Sequence, residues 1–195
     1  MSLGKVVLPS EITPCKVPKS TSSDYLIRSL CKAPALSACE VPHSQILFLQ
    51  LQKLGVNAVI NPLTSILDCY NGELFARPGI HALAQQLIAE ISSIIQPLLA
   101  NAVKEADQHL VAGLSPKQLE HTILEAAAKT AENISSMRQD ILAGKKTEVD
   151  YINGYIVARA LESTQDCSIN RKIVDMIHSK TKASEDQLIE HLLKA

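Results

Sequence analysis

From Gln45 onward, apolar residues recur at intervals of three and four, the spacing of one helical face. The clearest run is Ile80, Leu83, Leu87, Ile88, Ile91, Ile95 and Leu98. It predicts an amphipathic helix from about Pro78 whose apolar face belongs to a core. The punctuation agrees with a helical body. Ser44 suits the N-cap of the preceding helix, and Ser115 to Gln118 has the form of a capping box. Gly144 suits a helix C-terminus before Lys145 and Lys146. Residues 148–161 read as a restarted helix. Ser168 and Ser184 introduce two closing helices, the last with a second capping box, Ser184 to Gln187. The expected fold is mainly α, with six or seven helices.

The first forty residues have a different character. Residues 5–9, KVVLP, are strand-like, residues 25–30 suit a short helix, and residues 35–41 a short strand. Pro14, Pro18, Pro34 and Pro42 punctuate them. This is a strand–helix–strand remnant, too small to stand alone. The expected division is a small α/β piece over residues 1–43 and a helical domain over 44–195.

Composition removes several classes of function. The 195 residues are 46% apolar and 20% charged, which suits a folded domain with a core. A net charge of −1, with scattered Lys and Arg, gives no footprint for nucleic acid. Two Phe, four Tyr and no Trp leave little for base stacking. No stretch of eighteen apolar residues predicts a membrane span. The five cysteines are odd in number with no C-x-x-C pair, which reads as free thiols in a reducing, cytoplasmic compartment. The six histidines form no H-x-x-x-H pair, so metal binding has no support.

Residues 53–74, KLGVNAVINPLTSILDCYNGEL, carry the chemistry. Lys53, Asn57 and Asn61 stand at successive i, i+4 positions and share one stripe of a helix. Their neighbours Leu54, Val56, Val59, Ile60 and Leu63 are apolar, so the segment should be largely buried. A buried amide or ammonium is costly without a hydrogen-bond partner, and protein or ligand must supply one. Pro62 has no backbone donor and should kink or restart the helix. Asn61 would then be an N-cap as well as a candidate binding residue. Asn71 and Gly72 read as a helix stop.

The same stretch, with NGEL at its end, resembles the ketopantoate reductases (2-dehydropantoate 2-reductases). A second segment resembles the same family independently: residues 136–154, SMRQDILAGKKTEVDYING. The resemblance implies roles. Lys53 matches the family's catalytic lysine, which stabilises charge on the substrate oxygen and donates a proton. Asn57 and Asn61 match residues that bind and orient the substrate hydroxyl. Ser136 matches the carboxylate binder. Glu148 is placed beside the lysine and the reactive end of the cofactor, where it helps keep Lys53 charged; read by itself, it suits a helix N-terminus. Asp150, Asn153 and Gly154 read as architectural.

The implied cofactor is NADP, and the implied partner a small-molecule 2-keto acid. Yet the seven glycines include no two separated by one residue, so the dinucleotide fingerprint G-x-G-x-x-G is missing. The resemblance therefore implies a C-terminal substrate domain whose NADP site lies mainly in a preceding domain, with the chain alone inactive. A face left uncovered by that domain favours pairing into a homodimer. The alternative is a non-catalytic helical module for dimerisation or ligand sensing.

Overall fold

The computed structural model describes residues 2–3 and 21–194. The strand expected at residues 5–9, and Cys15, lie outside the described residues. At the start, β1 (Ser2–Leu3) pairs in parallel with β2 (Cys39–Glu40), and α1 (Thr21–Cys31) lies between them in sequence. The strand expected over residues 35–41 shrinks to β2, because Pro34–Leu36 forms a 3-10 turn instead.

Seven helices make up the body. They are α2 (His43–Leu67), α3 (Pro78–Ala102), α4 (Pro116–Lys129), α5 (Ser136–Leu142), α6 (Asn153–Glu162), α7 (Ser168–His178) and α8 (Glu185–Leu193). The mainly α expectation is met. No described helix is long and apolar enough to cross a membrane.

The central element is α2, which packs against α3, α4, α5 and α7. Residues 58–67 are buried on every side, so this half of the helix is surrounded by its neighbours. Leu63 is fully enclosed, as are Ile80, Leu83, Leu87 and Ile91 of α3. Burying each such side chain stabilises the fold by about 1.5–3 kcal/mol. Gly55 permits a close approach of α2 to α4, since a Cβ there would stand 2.9 Å from Leu119 Cδ1.

The helix does not restart at Pro62. It runs unbroken to Leu67, and Asn61 lies inside it, so Asn61 caps nothing. Proline does remove the donor that Ala58 C=O would otherwise receive. The Asn153 side chain replaces it, Nδ2 donating to Ala58 O at 2.9 Å. Pro97 poses the same problem inside α3, and Gln165 Nε2 donates to Ser93 O at 3.1 Å.

Termini follow the sequence cues unevenly. The box at Ser184 and Gln187 forms in full. Gly144 adopts φ +69° after α5, the left-handed backbone that glycine tolerates best. Ser115 precedes α4 but makes no side-chain cap. The start of α2 falls two residues before Gln45, with Pro42 rather than Ser44 at its N-cap. Its stop is Asp68 at φ 50°, not Asn71–Gly72. The segment from Glu148 is broken at Ile152 into the 3-10 turn Val149–Tyr151 and α6.

The start of α7 is capped from outside its own sequence. Glu90 of α3 accepts from Ile169 N at 3.0 Å and Asn170 N at 2.8 Å in the first turn of α7. A carboxylate at that end satisfies orphan donors and the helix dipole together.

Candidate functional site

The polar stripe of α2 opens into a cleft of about 370 Å³ between α2, α4 and the start of α5. Asn57 and Asn61 line one wall, Thr130 and Asn133 another, and Ser136 a third. Residues from both sequence signatures thus share one concave surface, although Asn61 and Ser136 stand 75 positions apart.

Asn61 is only 8% exposed, and its Nδ2 makes a long contact of 3.5 Å to Ser136 Oγ. At that length the bond is weak, so both groups keep capacity for another partner. Asn57 is half-buried and has no hydrogen-bond partner among the described residues. An amide offers two donors and an acceptor without charge, which suits binding a hydroxyl or carbonyl.

The position of Ser136 is set by its neighbour. Ser135 caps α5, its Oγ accepting from Arg138 N at 3.3 Å. Thr64 Oγ1 stands 2.8 Å from Ser135 Oγ in the buried seam between α2 and α5. This hydroxyl pair fixes the first turn of α5 against α2 and leaves Ser136 exposed to the cleft.

Asn71, a helix stop by its sequence, also lines the cleft. It is 7% exposed, and its Nδ2 donates to Thr130 Oγ1 at 3.0 Å. Its Oδ1 is buried without a partner, a cost in a packed interior. Gly72 lets this turn sit tightly on the chain after α4, where a Cβ would stand 2.6 Å from Ala131 Cβ. An asparagine–glycine pair signals a turn; nothing local says that the asparagine faces inward.

Lys53 lies one helical turn before Asn57, exposed and outside the cleft lining. Glu148 is exposed at the start of the Val149–Tyr151 turn. Among the described residues, neither makes an ion pair or a side-chain hydrogen bond, with each other or with any other group. The structure brings together Asn57, Asn61 and Ser136; Lys53, on the same stripe nearer solvent, and Glu148 are outside the cleft lining.

Charge gathers instead at the end of α2. Lys182 Nζ and Arg138 Nε donate to the two oxygens of Asp68 at 2.5 and 2.8 Å. Those bonds, that from Lys182 first, hold the Asp68 carboxyl below the usual range. Arg138 also lies over the Tyr70 ring at 5.4 Å. The buried thiols offer no nucleophile: burial pushes Cys69 up, and burial with the nearby Glu90 carboxylate pushes Cys167 to about 12.

A somewhat larger cavity of about 440 Å³ lies by α7 and α8, lined by Asp175, Lys182, Gln187 and His191. None of the converging motif residues reaches it, and none of its lining side chains has a buried unpaired polar atom. The cleft on α2 is the better site, because its amides converge on one surface with bonding capacity unspent.

Fold and cleft together define a helical domain with an amide-lined cleft, which Lys129 also lines, and with Lys53 one turn away along α2. The chain belongs to the family described as ketopantoate reductase PanE/ApbA C terminal, whose pattern it matches over residues 45–181. It is 32% identical to a probable 2-dehydropantoate 2-reductase of Schizosaccharomyces pombe, covering 90% of this chain and 48% of that protein. It is 38% identical to a 2-dehydropantoate 2-reductase of Shigella flexneri, over 71% of this chain and 40% of the relative. Among solved structures, a probable 2-dehydropantoate 2-reductase from Bacillus subtilis matches with TM-score 0.60 at 26% identity, over 73% of this chain and 44% of that one. The chain thus spans less than half the length of these relatives.

Proposed function

We propose that this chain is the substrate-binding domain of an NADPH-dependent 2-dehydropantoate 2-reductase, which makes pantoate on the way to pantothenate and coenzyme A. The observation that carries this reading is the meeting of Asn57, Asn61 and Ser136, drawn from two distant signatures, around one cleft in a chain of this family. Asn57 and Asn61 hold the substrate hydroxyl. Ser136 binds the carboxylate, and Asn71 completes the wall behind it. Lys53, one turn nearer solvent, faces the ketone oxygen. Reduction leaves negative charge there, which an ammonium stabilises and protonates. Glu148 is its charge partner once substrate and cofactor are in place.

The described residues do not fit a dinucleotide. Their one sheet is a pair of two-residue strands, with no glycine-rich turn opening a helix. NADP therefore belongs to a separate cofactor domain, with residues 1–43 as that domain's tail and 44–195 as the helical domain. On this reading the chain by itself binds NADPH no better than weakly, and a micromolar dissociation constant by calorimetry would contradict it.

The test is steady-state reduction of 2-dehydropantoate by the full-length reductase. Lys53→Ala is expected to lose about a hundred- to a thousandfold in turnover, with folding unchanged because Lys53 is exposed. Near-parental turnover would remove Lys53 from the mechanism.

A further inference from the structure

Pro62 leaves a defect in the middle of the site-bearing helix. Ala58 C=O has lost its backbone donor, and Ala58 is fully buried, out of reach of water. An orphan carbonyl in such a place is rare and costly. Asn153 Nδ2 fills the gap at 2.9 Å from Ala58 O and also donates to Asn170 Oδ1 at 2.9 Å. Asn170 Nδ2 in turn donates to Glu90 Oε1 at 2.7 Å. Both amides are fully buried.

The order of donors is dictated from both ends. A carbonyl and an ionised carboxylate can only accept. Glu90 therefore fixes the face that Asn170 presents, and Asn170 and Ala58 together fix Asn153. Neither amide can be flipped without setting acceptor against acceptor. The chain runs from α3 through α7 and α6 into α2, and it ends on the turn that carries Asn57 and Asn61. Asn153 Oδ1 is left buried and unpaired, a cost borne while Nδ2 serves two acceptors.

We infer that Asn153 is a positioning residue for the cleft, holding the α2 turn that bears Asn57 and Asn61 by taking the carbonyl that Pro62 leaves open. Pro62 and Asn153 form a matched pair: the proline creates the vacancy and the amide fixes the turn through it. This rests on the substrate-binding role proposed above for Asn57 and Asn61.

The experiment is a double-mutant cycle in the full-length reductase, read as KM and kcat for 2-dehydropantoate. Asn153→Leu removes both donors at similar volume. It is expected to raise KM on the order of tenfold while kcat changes less. Pro62→Ala returns a backbone N–H to Ala58 C=O, and in that background Asn153→Leu is expected to raise KM by no more than about twofold. A fall in melting temperature with KM unchanged, or an equal rise in KM in both backgrounds, would overturn the inference. If Asn153→Leu does not fold, Asn170→Ala reads the same chain one step back, with an expected rise of about threefold; no rise there also overturns it. Asn57→Ala separates the two readings. An unchanged KM in Asn57→Ala sinks the cleft assignment and the clamp with it, whereas a raised KM there beside an unchanged KM in Asn153→Leu sinks the clamp alone.

Discussion

Helices α2 and α3 are each 25 residues long, and each carries a proline at its twentieth position, counted from His43 and from Pro78. Each proline strips a donor from a carbonyl one turn back, and each carbonyl recovers one from a distant side-chain amide. The two repairs differ in where they happen. Pro62, Ala58 and Asn153 are buried, whereas Pro97 and Ser93 are exposed and Gln165 is half-buried. Water can serve Ser93 C=O if Gln165 does not; nothing can serve Ala58 C=O but Asn153. The same covalent defect is thus incidental in one helix and a constraint on the site in the other.

The largest effect that could break this comparison is on stability. Asn153→Leu leaves two buried acceptors, Ala58 O and Asn170 Oδ1, without donors. It is expected to lower unfolding free energy by about 3 kcal/mol in urea titrations. A loss below about 1 kcal/mol would mean that the interior relaxes around the orphaned carbonyl.

Acid unfolding sharpens the contrast at the end of α2. The folded-state carboxyl of Asp68 is held below its ordinary value by Lys182 and Arg138. Its contribution is present above the unfolded value and is lost as pH falls through the folded one. With 37% of the Asp68 side chain exposed, solvent screening keeps the contribution to about 0.5 kcal/mol. Asp68→Asn is expected to remove that part of the slope below the ordinary carboxylate range, from about pH 4 downward. An unchanged acid limb would show that the pair contributes nothing.

The smallest effect belongs to α3. Gln165→Ala is expected to cost about 0.3 kcal/mol, since the exposed carbonyl turns to water. A loss matching that of Asn153→Leu would erase the distinction between the two prolines.

These helices also show what is legible in the residues themselves. Apolar spacing marks α3 from Pro78 and places Lys53, Asn57 and Asn61 on one stripe, because periodicity is local. A break at Pro62 also follows from a local rule, and the rule is right about the lost donor. The helix survives because its replacement comes from Asn153, which bonds a residue 95 positions away. Asn61 looks like a cap for the same reason; only the packing of α5 shows that it turns toward Ser136. Asn71 is hidden by the chemistry of its neighbour, since an asparagine before glycine reads as a turn whichever way its side chain points. The relation of Lys53 to Glu148 is equally illegible, because each belongs to a different signature and no spacing rule relates them.

The central claim is that the cleft on α2, and not the larger cavity by α7 and α8, receives the 2-keto acid. The most direct measurement is calorimetric titration of 2-dehydropantoate into the full-length reductase and two variants, Asn57→Ala and Gln187→Ala. Asn57→Ala is expected to weaken binding by about tenfold, while Gln187→Ala, lining the other cavity, binds as the parent does. Parental affinity in Asn57→Ala together with weakened binding in Gln187→Ala would contradict the account.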